Sequence, residues 1–87
     1  MRIETEAFIM GYNEIHSKKS GKDFVKFNLV VEGEFTGFFT RKSDGDRIKT
    51  AKPFAEFNKT HAPTKCVVVL DLKFTQKGVF CDLVGIS

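Results

Sequence analysis

The segment "HSKKSGKDFVKFNLVV", residues 16–31, joins a lysine-rich loop directly to an apolar strand. Successive side chains of a strand point to opposite faces, so its odd and even positions form two separate surfaces. The odd positions are Val25, Phe27, Leu29 and Val31, and the even positions are Phe24, Lys26, Asn28 and Val30. The uniformly apolar odd set predicts the core face. Phe24 then lies beside Lys26 on the other face, and a large aromatic next to a cation outside the core points to function.

The rest of the chain consists of further strand patterns separated by turn signals. Besides residues 23–31, strands are predicted at residues 2–12, 34–42, 65–75 and 79–87, with a long connection at 13–22. Glu32-Gly33 and the "SDGD" segment around Asp44-Gly45 are typical of tight turns. Residues 47–63 lack strand alternation and allow at most a short helix after Pro53, a residue that suits a first helical turn.

Five strands with one insert between the third and fourth are typical of an OB-fold barrel. We therefore predict an all-β protein, a small five-stranded OB-like barrel with a short irregular or helical insert. With 87 residues, the chain is expected to form one OB-like domain, residues 1–87. A small SH3-like barrel has a similar strand count and is the alternative, but the long first connection and the insert favour the OB fold.

Composition and charge narrow the possible partners. The chain has 10 Phe, a single Tyr and no Trp, which is more aromatic surface than so small a core readily buries. Its net charge of +3 favours an anionic partner. The longest apolar run, residues 66–70, is too short for an export signal or a membrane span, so we expect a cytoplasmic protein. In that compartment Cys66 and Cys81 are expected to be reduced thiols.

An OB fold binds oligomers on the face of its second and third strands, between the loop joining strands one and two and the loop joining strands four and five. If Glu32-Gly33 is a two-residue turn, Lys26 lies opposite Phe39 and Phe24 opposite Arg41, and Phe35 shares their face. A three-residue turn would flip every side chain of the third strand and expose Phe38 and Lys42 instead. We favour the first register because it places an arginine next to a ring.

Lysines around exposed rings fit single-stranded nucleic acid, because cations neutralise phosphates and rings stack on unpaired bases. We therefore predict non-catalytic, largely sequence-independent binding of single strands. Base stacking serves DNA and RNA alike. A protein-interaction module that uses the same phenylalanines as an interface is the alternative. The candidate nucleic-acid-binding residues are Lys18, Lys19, Lys22, Phe24, Lys26, Phe39, Arg41, Lys73, Phe74 and Lys77.

The run "SKKSGKDF" followed by an apolar strand resembles the small single-stranded DNA-binding proteins of filamentous phage, the gene V type. In that family a basic loop leads through a Gly-Lys pair to a base-stacking aromatic, and these places are occupied here by Lys19, Gly21, Lys22 and Phe24. The hairpin "KFTQKGVF" is similar to a protruding loop of the family, with Phe74 in place of its DNA-contacting aromatic. The aromatic-rich third strand, the insert and the lack of a tyrosine set depart from the family. The resemblance implies a homodimer that binds strands cooperatively during replication of a phage or mobile element.

Catalytic and metal-binding patterns are weak. His16 and His61 have no partner at a telling spacing, so neither is expected to act as a general base. The "SDGD" carboxylates lack the further ligands of a calcium loop. The two cysteines are not arranged as CxxC. We expect no enzyme activity, no metal and no cofactor.

Overall fold

Five strands and two short helices make up the protein in the computed structural model, which describes residues 1–87. The strands are β1 (Arg2–His16), β2 (Asp23–Val31), β3 (Glu34–Arg41), β4 (Thr64–Thr75) and β5 (Gly78–Ile86), and the helices α1 (Lys42–Ile48) and α2 (Lys52–Thr60) lie between β3 and β4. All strand pairs are antiparallel, in the order β3-β2-β1-β4-β5. The sheet curls into a half-barrel in which β3 and β5 approach each other without pairing. This confirms the predicted OB-like all-β fold and the position of the insert.

The core confirms the face assigned to the odd positions of β2. Val25, Phe27 and Leu29 are completely buried. Helix α2 covers one end of the half-barrel and packs Phe54 edge-on against Phe27, with ring centroids 5.7 Å apart. Pro53 lies in the first turn of this helix, as predicted. Neither helix is long and apolar enough to cross a membrane.

Strand β1 is longer than predicted because a bulge lies inside it. The pairing of β1 with β2 shifts between Ile9 and Gly11, which moves one extra residue into β1. Ile9 faces the core before the bulge and Tyr12 faces it afterwards, where the Tyr12 ring packs on Phe54. The bulge explains the imperfect alternation of this segment. The strand then continues to His16, so the connection is only residues 17–22, and the prediction of a connection from residue 13 was wrong.

The prediction of a tight turn at "SDGD" was also wrong, because this segment lies in α1. Gly45 is buried against β2 and β3, and a Cβ added there would lie 2.5 Å from the Val25 Cβ and 2.8 Å from the Thr40 Oγ1. The missing side chain therefore lets the helix backbone approach the sheet. Arg47 of the same helix donates a hydrogen bond of 3.0 Å to the Val84 carbonyl, which ties α1 to β5. Such tertiary contacts override the local preference of Asp-Gly for a turn.

Substitution of Gly45 by Ala is expected to destabilise the protein. The new Cβ would overpack Val25, a change that costs about 1–3 kcal/mol, and we expect this cost to exceed the helix-propensity gain of about 1 kcal/mol. Gly85→Ala is the control, since a Cβ there would meet no atom within 4 Å. Urea unfolding of both variants measures the difference. Equal stability of the two variants would contradict the close packing of α1.

Candidate nucleic-acid interface

A two-residue turn sets the register between β2 and β3. Glu32 and Gly33 both have positive φ, 51° and 80°, as the type I′ hairpin turn requires. Lys26 consequently pairs with Phe39 and Phe24 with Arg41, which confirms the favoured register. The alternative register is wrong.

Adjacent phenylalanines of β3 show the result of this register. Phe38 is 7% exposed and belongs to the core, whereas Phe39 is 64% exposed. The two rings therefore lie on opposite sides of the sheet. Lys42, which the alternative register placed beside Phe38, begins α1 instead.

The surface of β1, β2 and β3 that faces away from the core is here called the outer face. Directly paired residues form four rows across its strands. In order from the lysine loop, the rows are Ile15–Phe24–Arg41, Asn13–Lys26–Phe39, Gly11–Asn28–Gly37 and Phe8–Val30–Phe35. Along the outer face, β2 thus presents four different side chains in order: an aromatic, a cation, an amide and an aliphatic group.

Lys26 and Phe39 form the central contact of the outer face. The Lys26 Nζ lies over the Phe39 ring, 5.4 Å from its centroid, within the range of a cation–π interaction. To reach the ring, the lysine crosses Gly37, where an added Cβ would lie 2.9 Å from the Lys26 Cε. Gly37 therefore clears the path of the lysine. Most of the ring surface stays exposed and available for stacking.

Phe24 is less accessible than Phe39. Its side chain is half-buried. It borders a shallow surface depression that is also lined by Lys22, Asp23, Arg41 and Lys42. A second depression beside the ring is lined by Phe39, Arg41, Asp44 and Asp82. The ring therefore lies between cations on the side of the lysine loop and two carboxylates on the side of β5.

The loop between β1 and β2 holds three lysines at the end of the outer face. Lys18, Lys19 and Lys22 are exposed, and none of them takes part in an ion pair. Backbone hydrogen bonds close the loop, from the Ser17 N–H to the Lys22 carbonyl at 2.9 Å and from the Gly21 N–H to the Ser17 carbonyl at 2.8 Å. The three ammonium groups are thus carried by an ordered loop and remain free to contact phosphates.

Two other lysines near this end are already paired. Lys42 and Lys49 each contact both Glu14 and Asp46, with N–O distances of 3.2 to 3.3 Å. Hydrogen bonds from Lys42, and then from Lys49, lower the pKa of both carboxyl groups. The carboxylates therefore stay ionised at neutral pH and anchor α1 to β1. Lys42 and Lys49 are less available to a ligand than the loop lysines.

The tip of the β4–β5 hairpin lies beyond the start of β1, but its β5 strand returns beside β3, where Asp82 lines a depression together with Phe24, Phe39 and Arg41. Pairing of β4 with β1 ends at Asp71 opposite Arg2, so the hairpin extends past the start of β1, whereas the lysine loop follows its end. Lys73 lies opposite Phe80 and forms an ion pair of 3.4 Å with Asp82.

Phe74 points to the other side of this hairpin. It has the same strand parity as the buried Leu70, lies opposite Val79 and is 67% exposed. Lys77 is exposed in the turn. The structure therefore brings together seven candidates, Lys18, Lys19, Lys22, Phe24, Lys26, Phe39 and Arg41. Lys73 joins the border of this set through its ion pair with Asp82, whereas Phe74 faces the other side of the hairpin and Lys77 lies in its turn.

Three exposed rings were not among the candidates. Phe8 is 45% exposed and shares the last row of the outer face with Phe35, which is 80% exposed. Phe80, 51% exposed, lies on the hairpin. The alternation of side chains along β3 is enough to assign Phe35 to the outer face from the sequence. The same assignment cannot be made for Phe8, because the bulge after Ile9 interrupts the alternation of β1.

The cysteines are free thiols in different surroundings. Cys66 is buried, and burial raises its pKa to about 11. Cys81 is exposed, and partial burial together with the charges of Asp82 and Asp71 raises its pKa. Neither thiol is activated as a nucleophile. No group of three or more His, Cys, Asp or Glu side chains is arranged to hold a metal ion.

Comparison with known proteins adds no relative. No protein-family model matches the sequence, and no curated protein is similar to it at a significant level. Functional inference therefore depends on the fold and on the chemistry of the outer face.

Neighbouring phenylalanines of β3 provide a test of the two faces. Phe38→Ala is expected to lower the free energy of unfolding by about 3–5 kcal/mol, because it empties part of the core. Phe39→Ala should cost much less, since its ring is largely solvated. Denaturant melts of the two variants measure both effects. Similar losses in both would show that the Phe39 ring is covered in solution.

Proposed function

We propose that this protein binds single-stranded nucleic acid, with DNA favoured over RNA, along the outer face and without catalysing a reaction. Bases stack on Phe39 and Phe24. Phosphates contact the loop lysines, Lys18, Lys19 and Lys22, and Arg41. The observation that supports this most directly is the exposed Phe39 ring with the half-buried Lys26 over it, because the pair offers a ring and a cation side by side at the centre of a sheet face.

The charge distribution favours an anion at one end of the outer face. The loop lysines and Arg41 lie at the end with the Phe24 row. At the other end, Glu32 is exposed in the turn that follows the Phe8–Val30–Phe35 row. A strand is therefore expected to have its closest phosphate contacts near the lysine loop.

The spacing of the rows also suits a short single strand. Side chains on one face of a strand repeat about every 7 Å, so the four rows span about 20 Å. This length corresponds to about four nucleotides, the lower end of the range for one OB fold. A duplex would hide the base faces and gain little from the rings.

The wider proposal follows the resemblance to gene V-type proteins. Lys19, Gly21, Lys22 and Phe24 form a closed basic loop leading to a half-buried ring, as that resemblance implies. We propose that the protein is a cytoplasmic homodimer that serves in DNA replication of a phage or mobile element. Lys73, Phe74 and Lys77 form a second contact area for nucleic acid on the hairpin.

A protein interface is the second candidate function. The Phe8–Val30–Phe35 row is apolar, Lys65 lies opposite Phe8 and forms an ion pair of 3.4 Å with Glu6, and Glu32 lies in the turn at the other end of the row. An apolar row with a mixed polar rim fits a protein partner. Such an interface would not show the steep loss of affinity with salt that phosphate contacts produce.

Fluorescence titration of labelled dT and U oligomers at two salt concentrations tests the proposed function. We expect binding of dT that weakens steeply with salt, and a loss of roughly 1–3 kcal/mol in Phe39→Ala, the range for one stacked base. Ile3→Ala is the control, because it removes a partly exposed apolar side chain that shares the strand parity of the buried Ala7 and Ile9 and so lies off the outer face. Absence of binding to either oligomer would favour the protein interface, and unchanged affinity in Phe39→Ala would contradict the site.

Substitution of Lys19 and Lys22 by Ala should reduce the salt dependence of binding. Each lost phosphate contact is expected to lower the slope of log K against log salt by about 0.7 for single strands. Lys52 and Lys59 of α2 provide the control, since the double Ala variant removes the same charge from exposed positions outside the outer face. Equal slopes in the two double variants would show that only net charge matters.

A further inference from the structure

One row of the outer face has neither a ring nor a charge. Asn28 lies there between Gly11 on β1 and Gly37 on β3. Phe35 and Phe39 flank Gly37 on the same face of β3, and four residues of strand separate their Cα atoms by about 13 Å. A base lying between bases stacked on these two rings would meet the Asn28 carboxamide.

The orientation of the Asn28 amide follows from its neighbours. Its Nδ2 donates a hydrogen bond of 3.4 Å to the Asn13 Oδ1 on β1. Its Oδ1 lies on the β3 side, 3.9 Å from the position that a Cβ on Gly37 would take. The amide thus lies across the sheet, with its acceptor towards β3 and its donor towards β1.

Both asparagines retain hydrogen-bonding capacity. No protein group donates to the Asn28 Oδ1, and the Asn13 Nδ2 donates to no protein group. Space above the amide is open on the β1 side, because a Cβ on Gly11 would meet no atom within 4 Å. From β3 to β1, the pair therefore presents an acceptor, a donor and a second donor to an approaching base.

We propose that Asn28, held in place by Asn13, recognises the edge of one base and makes that position of the bound strand prefer cytosine to thymine and adenine. The inference rests on the proposed function. In a single strand, cytosine presents its 4-amino donor, its N3 acceptor and its O2 acceptor in that order, so that the first two pair with Asn28 and the third accepts from the Asn13 amide. Adenine matches Asn28 alone through its amino group and a ring nitrogen, and thymine does so through its N3–H and a carbonyl, so that in both bases the Asn13 donor has no partner. Guanine presents N1–H, O6 and N7 in the same donor, acceptor, acceptor order as cytosine. Binding elsewhere along the face stays independent of sequence.

The experiment uses a dT octamer with a single dC placed at each position in turn, titrated against the full chain. At the best position, dC should bind about fivefold more tightly than dT, the size of one additional neutral hydrogen bond. Replacing that cytosine by 2-pyrimidinone, which lacks only the 4-amino group, should remove the gain. In Asn28→Ala and in Asn13→Ala, dC and dT should bind equally. Gln76→Ala, which removes an exposed amide from the hairpin turn, should keep the wild-type preference.

The possible outcomes separate this inference from the proposed function. Salt-dependent binding with dC equal to dT in the wild type would overturn the cytosine inference and leave the proposed function standing. A dC preference that persists in both asparagine variants would also overturn the inference, because the selectivity would then arise elsewhere. Absence of binding to every oligonucleotide would overturn both.

Discussion

The two-residue turn at Glu32–Gly33 determines which side chains of β3 face the core. The composition of the outer face depends on this register. Both turn residues adopt positive φ, which matches the right-handed twist of the two strands and holds the loop at two residues. A slip of one residue would exchange Phe38 with Phe39 and turn the charged Arg41 towards the core, where an unpaired charge is costly. The buried Phe38 opposite the buried Phe27 therefore stabilises the same register that places Phe39 over Lys26.

Gly45 in α1 and Gly37 in β3 show how the absence of a side chain allows close packing on the core side and on the outer face of the sheet. Gly45 lets the backbone of α1 approach Val25 and close the core. On the outer face, Gly37 leaves room for the aliphatic part of Lys26 to reach the Phe39 ring. The first glycine contributes to packing and the second to the arrangement of a binding surface. Both depend on contacts between strands rather than on a special backbone conformation.

The parts of the fold that are local in sequence were predictable. Alternation in β2 identified the core face, and the short turn fixed the partners Lys26 and Phe39. The bulge in β1 and the helix over "SDGD" were not predictable, because they result from long-range packing of Tyr12 on Phe54 and of Gly45 on Val25. For the same reason the sequence did not reveal that Phe8 joins the outer face. The sequence also placed the hairpin residues beside this face; Lys73 contacts Asp82 at its border, while Lys77 lies in a turn beyond the start of β1.

The central claim is that an unpaired base stacks on the Phe39 ring beside Lys26. Intermolecular nuclear Overhauser effects between a dT octamer and the phenylalanine ring protons measure this directly. The account predicts contacts from the thymine base protons to Phe39, with weaker contacts to Phe24. Contacts confined to Phe74 and Phe80 of the hairpin, with the Phe39 ring protons unaffected by the oligomer, would contradict it.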